Sequence, residues 1–185
     1  MATENLKVSE SSSSILKITP TRLWTYLAKV REWLPEKPVF LLGHSMGGLI
    51  TSYYLLDHSD AFQGAVISAP FITVPDNINR GIIIATKILS RVAPKMGMMR
   101  LNANDISRDP EVVRAYLEDP LVFNGKTSVR MMAEMLKEMI KVNDEMEHIS
   151  LPLILVQGGA DKLADPNGAK TLYERANSKD KTLNL

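Results

Sequence analysis

Val39-Phe40-Leu41-Leu42-Gly43-His44-Ser45-Met46-Gly47-Gly48 runs from a short, unbroken apolar segment into a serine flanked by glycines. The apolar run after Pro38 reads as a buried parallel strand, and the segment from about Gly48 to Leu56 reads as a helix. A serine at such a junction sits on a tight strand-to-helix turn. A serine hydroxyl is a poor nucleophile unless it is exposed, oriented and relieved of its proton as it reacts. The turn supplies the exposure, which makes Ser45 the candidate nucleophile. Little room is left beside it, so small residues are expected two positions before and after. Gly43 and Gly47 occupy those positions, and Gly48 relaxes the next step. The Met46 backbone N–H, at the start of the helix, suits a developing oxyanion. The structural alternative is a glycine-rich turn that merely packs a helix on a sheet. His44 lies inside the motif, but the backbone direction turns it away from the hydroxyl. It is expected to pack or hydrogen-bond, not to act as base.

Upstream, Thr19 and Pro20 suit a helix start, and Leu23, Leu27, Val30 and Leu34 recur at helical spacing until Pro35 and Pro38 intervene. Downstream, Ala65-Val66-Ile67-Ser68 reads as a second buried strand, ended by Pro70. From Phe71 to about Ser150 no strand pattern appears. Helices are expected at Ile82 to Val92, Pro110 to Leu117 and Ser128 to Met146, the last with Val129, Met132, Leu136 and Met139 on one side. Leu153-Ile154-Leu155-Val156 restores the strand pattern, Ala169 to Ala176 reads as a helix, and Lys181 to Leu185 as the start of one more strand. The order predicts an α/β layered domain with a parallel sheet and a helical insertion. The expected divisions are a loose tail (1–18, around the serine run ending at Ser14), a core segment (19–70), a helical cap (71–150) and a second core segment (151–185).

Functional loops of a parallel sheet gather at the carboxyl ends of its strands. Asp161, just past Val156 and the Gly158-Gly159 pair, is the candidate acid that orients a base. Asp165 is the rival, although its place before Pro166 also fits a helix cap. Between Asn77 and Ala103 the charged residues are all basic, and they are interspersed with isoleucines and methionines. Such a stretch suits a flexible cap over an acyl-chain pocket or a segment resting on anionic lipid. It equally suits a helix packed on its own domain with solvated cations.

A net charge of +1 gives no field that would draw nucleic acid, and the absence of cysteine excludes disulfides and thiolate chemistry. The first residues have no signal-peptide pattern, and no run of about 18 apolar residues would span a bilayer. A cytoplasmic location with peripheral membrane contact through the cap is the expectation. No phosphate loop, nucleotide fingerprint or metal cluster is present in the sequence, so no cofactor is implied.

The elbow segment, Gln157-Gly158-Gly159-Ala160-Asp161-Lys162-Leu163, Lys179-Asp180-Lys181-Thr182-Leu183 and Asp119-Pro120-Leu121-Val122 resemble the monoacylglycerol lipase and lysophospholipase branch of the α/β-hydrolase superfamily. The resemblance covers about residues 20 to 185. It implies an α/β-hydrolase fold with a helical cap, long-chain fatty-acid esters as substrates, and Ser45 and Asp161 as triad members. Two features depart from that pattern. The family carries a His-Gly segment well before the elbow, which supplies the other oxyanion donor, whereas residues 1–42 contain neither glycine nor histidine. The family's catalytic histidine follows one more strand beyond the acid, where this sequence ends. Of His44, His58 and His148, none is well placed as base. The expectation is the middle of a hydrolase, whether fragment, splice product or incomplete gene model. Loss of a triad base leaves only weak catalysis, so a remnant that keeps lipid or partner binding is the competing reading. An esterase or acyltransferase for small polar substrates fits the apolar cap less well.

Overall fold

The computed structural model describes the backbone of residues 15–185 and the side chains of residues 22–185. Along the chain lie α1 (Ile15–Trp33), β1 (Phe40–His44), α2 (Met46–His58), β2 (Gly64–Ser68), α3 (Arg80–Val92), β3 (Gly97–Met99), α4 (Pro110–Glu118), β4 (Thr127–Ser128), α5 (Val129–Glu145), β5 (Leu153–Val156), α6 (Pro166–Arg175) and β6 (Lys181–Asn184). The main sheet is four-stranded, in the order β1-β2-β5-β6. All of its pairings are parallel, with Leu41 beside Ala65, Ala65 beside Leu153, and Leu153 beside Lys181. This is the parallel α/β arrangement that the order of elements predicts.

Alternation decides which face of the sheet is covered. Ala65, Ile67, Leu153 and Leu155 point to one side and are buried. There they join Leu49 and Leu55 of α2, Met139 and Val142 of α5, and Leu172 of α6 in one core. Each fully buried Leu, Ile, Val or Met contributes roughly 1.5–3 kcal/mol of transfer free energy. On the opposite side Phe40, Leu42, Ile154 and Val156 are exposed. The expected burial of the whole Val39–Leu42 run therefore fails on one face. The physical reason is that no helix covers that side among the described residues, where central β5 is open as well as edge β1.

Several boundaries also move. The expected loose tail of residues 1–18 overlaps α1, which begins at Ile15; residues 1–14 lie outside the described residues. Pro20 stands inside α1 and not at its start. A proline there removes a single ladder bond without ending the helix. Leu34 follows the helix and is exposed, so it leaves the expected stripe. α6 begins at Pro166 and not at Ala169, because Asp165 caps it by accepting the Asn167 N–H at 2.9 Å and Pro166 suits the first turn.

The insertion is not purely helical. β3 and β4 pair antiparallel, with Gly97 opposite Ser128, and these two- and three-residue segments are too short to show a period. α5 serves two neighbours. Met135, Met139 and Val142 enter the main core, with Met146 just beyond, while Leu136 lies on the flank that meets α3. The last helix of the expected cap is thus part of the layer that covers the sheet.

Candidate active site

Ser45 has φ 53° and ψ −116°. This is backbone that L-residues avoid, at a cost of order 1–3 kcal/mol, and such strain persists only where the surroundings enforce it. They do so through the backbone. The Ser45 N–H donates to the Ser68 carbonyl at 2.9 Å, and the Ser45 carbonyl accepts from Leu49 N–H at 3.2 Å and Phe71 N–H at 3.1 Å. The Ser45 side chain makes no capping bond to α2, so its hydroxyl is not committed to the helix end. Met46 is the first residue of α2, with its N–H among the donors that a helix start leaves free.

The glycines divide the steric work differently from expectation. A Cβ on Gly43 would collide with the Gly47 carbonyl oxygen and the Thr51 hydroxyl, and would lie 2.7 Å from the Gly47 carbonyl carbon. A Cβ on Gly48 would lie 2.9 Å from the Pro70 Cα. At Gly47 a Cβ would meet nothing within 4 Å. Crowding therefore requires glycine at 43 and 48 and not at 47, because residue 47 opens away from the strand.

Ser45 lines a cleft of about 1300 Å³. One wall is the segment Gly158–Ala164, and the other is built by residues between Leu101 and Glu118 of the insertion. Asp161 is part of this lining and Asp165 is not. The Asp161 carboxylate accepts the Leu163 and Ala164 N–H groups at 2.8 and 3.0 Å, and its other oxygen faces Gln157 Nε2 at 3.3 Å. Asp165 is exposed at the start of α6. Gln157, which the sequence reading passed over, is buried and also donates to the Gly158 and Ala164 carbonyls at 3.3 and 3.2 Å. It ties both ends of the acid loop together. A polar residue closing an otherwise apolar strand was the available signal. Lys162 approaches Asp105 at 3.8 Å and so links the two walls.

The three histidines stand apart from this geometry. His44 Nδ1 lies 3.1 Å from the Ser68 hydroxyl, the hydrogen-bonding role expected of it, although the residue also borders the cleft. His58 ends α2 and packs its ring on Tyr54 and Trp24, with centroids 4.4 and 5.8 Å away. His148 precedes β5 at the opposite edge of the sheet, where its carbonyl accepts from Ser59. α3, expected over the acyl pocket, does not line the cleft. It packs on α5, burying Thr86 and Ser90, while Ile84, Ile88 and Val92 face solvent. Its helical period puts only one side against the domain. No group of three or more His, Asp or Glu that could hold a metal ion occurs among the described residues.

The sequence profile of the family described as serine aminopeptidase, S33 (Hydrolase_4) matches residues 23–185. The chain is 34% identical over 164 residues to monoglyceride lipase of Rattus norvegicus, covering 88% of this chain and 54% of that one. It is 33% identical over 150 residues to monoacylglycerol lipase of Mycolicibacterium smegmatis, covering 79% and 52% respectively. The crystal structure of Paleococcus ferrophilus monoacylglycerol lipase superposes with a TM-score of 0.77 at 30% identity, over 91% of this chain and 64% of that one. The chain spans about half the length of the curated relatives it matches.

Proposed function

The chain belongs to the serine aminopeptidase S33 (Hydrolase_4) family of α/β-hydrolases, and from that premise we propose that it hydrolyses monoacylglycerols or related long-chain lipid esters through an acyl-Ser45 intermediate. The observation that carries the proposal is the strained Ser45 turn, which opens into the same cleft as Asp161. The similarity to monoacylglycerol lipases supplies the substrate class.

In this reading the Ser45 hydroxyl attacks the ester carbonyl while a base takes its proton. The Met46 N–H stabilises the oxyanion, the glycerol leaves with a proton, and water releases the fatty acid. Asp161 orients the base through the carboxylate that the Leu163 and Ala164 N–H groups and Gln157 hold in place. Among the described residues His44, His58 and His148 are otherwise engaged, so none of them is assigned as the base. The exposed Ile84, Ile88, Val92, Met98 and Met99, alternating with Arg80, Lys87, Arg91, Lys95 and Arg100, support peripheral contact with an anionic lipid surface. Among the described residues no helix is long and apolar enough to cross a membrane.

The test is fatty-acid release from monooleoylglycerol by the protein, beside Ser45→Ala and Asp161→Asn. Release is expected to be slow while a base is not supplied, and Ser45→Ala is expected to remove what release there is. Undiminished release by Ser45→Ala would overturn the proposal.

A further inference from the structure

A second cavity, of about 520 Å³, lies between α3 and α5 and shares no lining residue with the Ser45 cleft. Its volume is within the ~300–1,000 Å³ typical of small-molecule sites. The two helices meet at one end, where the Val129 N–H donates to the Met96 carbonyl at 2.9 Å and the Arg130 N–H to the Pro94 carbonyl at 3.3 Å. From that junction α3 runs back toward Arg80 and α5 runs forward toward Glu145, so the pair is antiparallel. The junction end therefore carries Arg91 and Arg130, the far end carries Ile83, Leu136 and Ile140, and the exposed Lys87 and Lys137 also line the groove. Its apolar side chains gather at the far end, and a buried cationic donor, on Arg130, lies at the junction end.

Arg130 gives the cationic end its specificity. One nitrogen of its guanidinium pairs with Glu134 at 2.9 Å, but its Nε is buried and has no partner. A buried donor left unpaired is costly and accepts a new partner readily. An anion beside it would also meet Arg91. That combination favours an anionic headgroup such as a carboxylate at this end. From Ile83 to Arg91 the helix rises about 12 Å, enough for an extended alkyl chain of medium length.

We propose that the groove between α3 and α5 is a second lipid site, which takes a fatty acid with its carboxylate on Arg130 and Arg91 and its tail along Ile83, Leu136 and Ile140. The site lies in the insertion that also walls the Ser45 cleft, so an acid bound here sits where it can influence the cleft's wall. The choice of a carboxylate rests on the charges of the groove and not on the esterase reading, and binding is measured without turnover.

The experiment uses a dodecanoate analogue bearing a photoreactive diazirine, with crosslinks mapped by peptide mass spectrometry and affinity measured by competition with dodecanoate. Adducts are expected on α3 and α5, displaced by dodecanoate and at least about tenfold less well by dodecanol. Arg130→Gln and Arg91→Gln should each weaken binding about tenfold or more, and Ile140→Trp should fill the apolar end and abolish it. Arg91 is exposed, so its variant tests the idea even if Arg130→Gln fails to fold. Adducts confined to the Ser45 cleft, or unchanged binding by both Arg91→Gln and Ile140→Trp, would overturn the proposal. Equal displacement by dodecanol would also overturn it, because the groove would then not recognise the carboxylate.

Discussion

Replacing Gly43 by alanine tests whether the Ser45 turn is built as described. The added methyl would collide with the Gly47 carbonyl oxygen and the Thr51 hydroxyl and lie 2.7 Å from the Gly47 carbonyl carbon. Thr51 can rotate, but the Gly47 carbonyl is backbone at the start of α2. The helix must then move away from β1 by several tenths of an ångström. Overpacking against backbone costs about 1–3 kcal/mol or slightly more, and Gly43→Ala is expected near the upper end. The same movement displaces the Met46 N–H from the position of the oxyanion, and losing such a donor costs about 10²–10³ in rate. Gly47→Ala is the control. Its methyl meets nothing within 4 Å, and alanine is favoured over glycine in a helix by roughly 0.5–1 kcal/mol. Urea unfolding gives the stabilities, and the rate of Ser45 labelling by a fluorophosphonate ester reports the turn. Gly43→Ala as stable and as reactive as the parent, or Gly47→Ala destabilised by more than about 1 kcal/mol, would refute the steric account.

Burial, reinforced by the nearby Glu134, pushes the Glu138 carboxyl up to about 7. At low pH the group is protonated in both folded and unfolded chains. As pH rises from the ordinary value of 4.5 toward 7 the unfolded chain loses its proton first, and folding stability falls. Glu138→Gln should remove this decline, adding roughly 2 kcal/mol at pH 8, after allowing for water that reaches the carboxyl, and little at pH 4. Urea melts at the two pH values check it, and an equal gain at both would contradict the cause. Gln157→Leu should lower kcat by about tenfold with little change in KM, because it frees the loop that aims Asp161; steady-state kinetics would show a KM-only effect if the residue served binding alone. Leu42→Lys should reduce binding of an apolar dye to the open sheet face while changing stability by no more than about 0.5 kcal/mol, since Leu42 is 71% exposed; unchanged dye fluorescence would place the accessible apolar surface elsewhere.

What could be read from the sequence follows from where the physics is local. The Ser45 turn, β2 and β5 were legible because each joins a short apolar run to glycine or proline punctuation. The Asp165 cap was legible because an aspartate before proline has a local cause. The open face of β1 was not legible, since an unbroken apolar run looks alike whether helices cover both faces of the sheet or only one. β3 and β4 were too short to carry a period. The cleft wall was sought in the apolar residues of α3, yet residues 101–118 build it, because a helix with two apolar sides does not announce which neighbour it meets. Gln157 was overlooked for a related reason: its three hydrogen-bond partners are evident only once the acid loop has folded back on itself.

The central claim is that Ser45 carries the acyl group, and the most direct measurement is mass spectrometry of the acid-quenched protein after incubation with a long-chain p-nitrophenyl ester. Without a base both steps slow, but p-nitrophenolate departs without needing a proton, so acylation outpaces hydrolysis of the acyl-enzyme and the intermediate should accumulate. The account predicts a mass increase of one acyl group on the peptide that contains Ser45, absent from Ser45→Ala. Ester hydrolysis that proceeds equally in Ser45→Ala, or an acyl group carried on another residue, would contradict it.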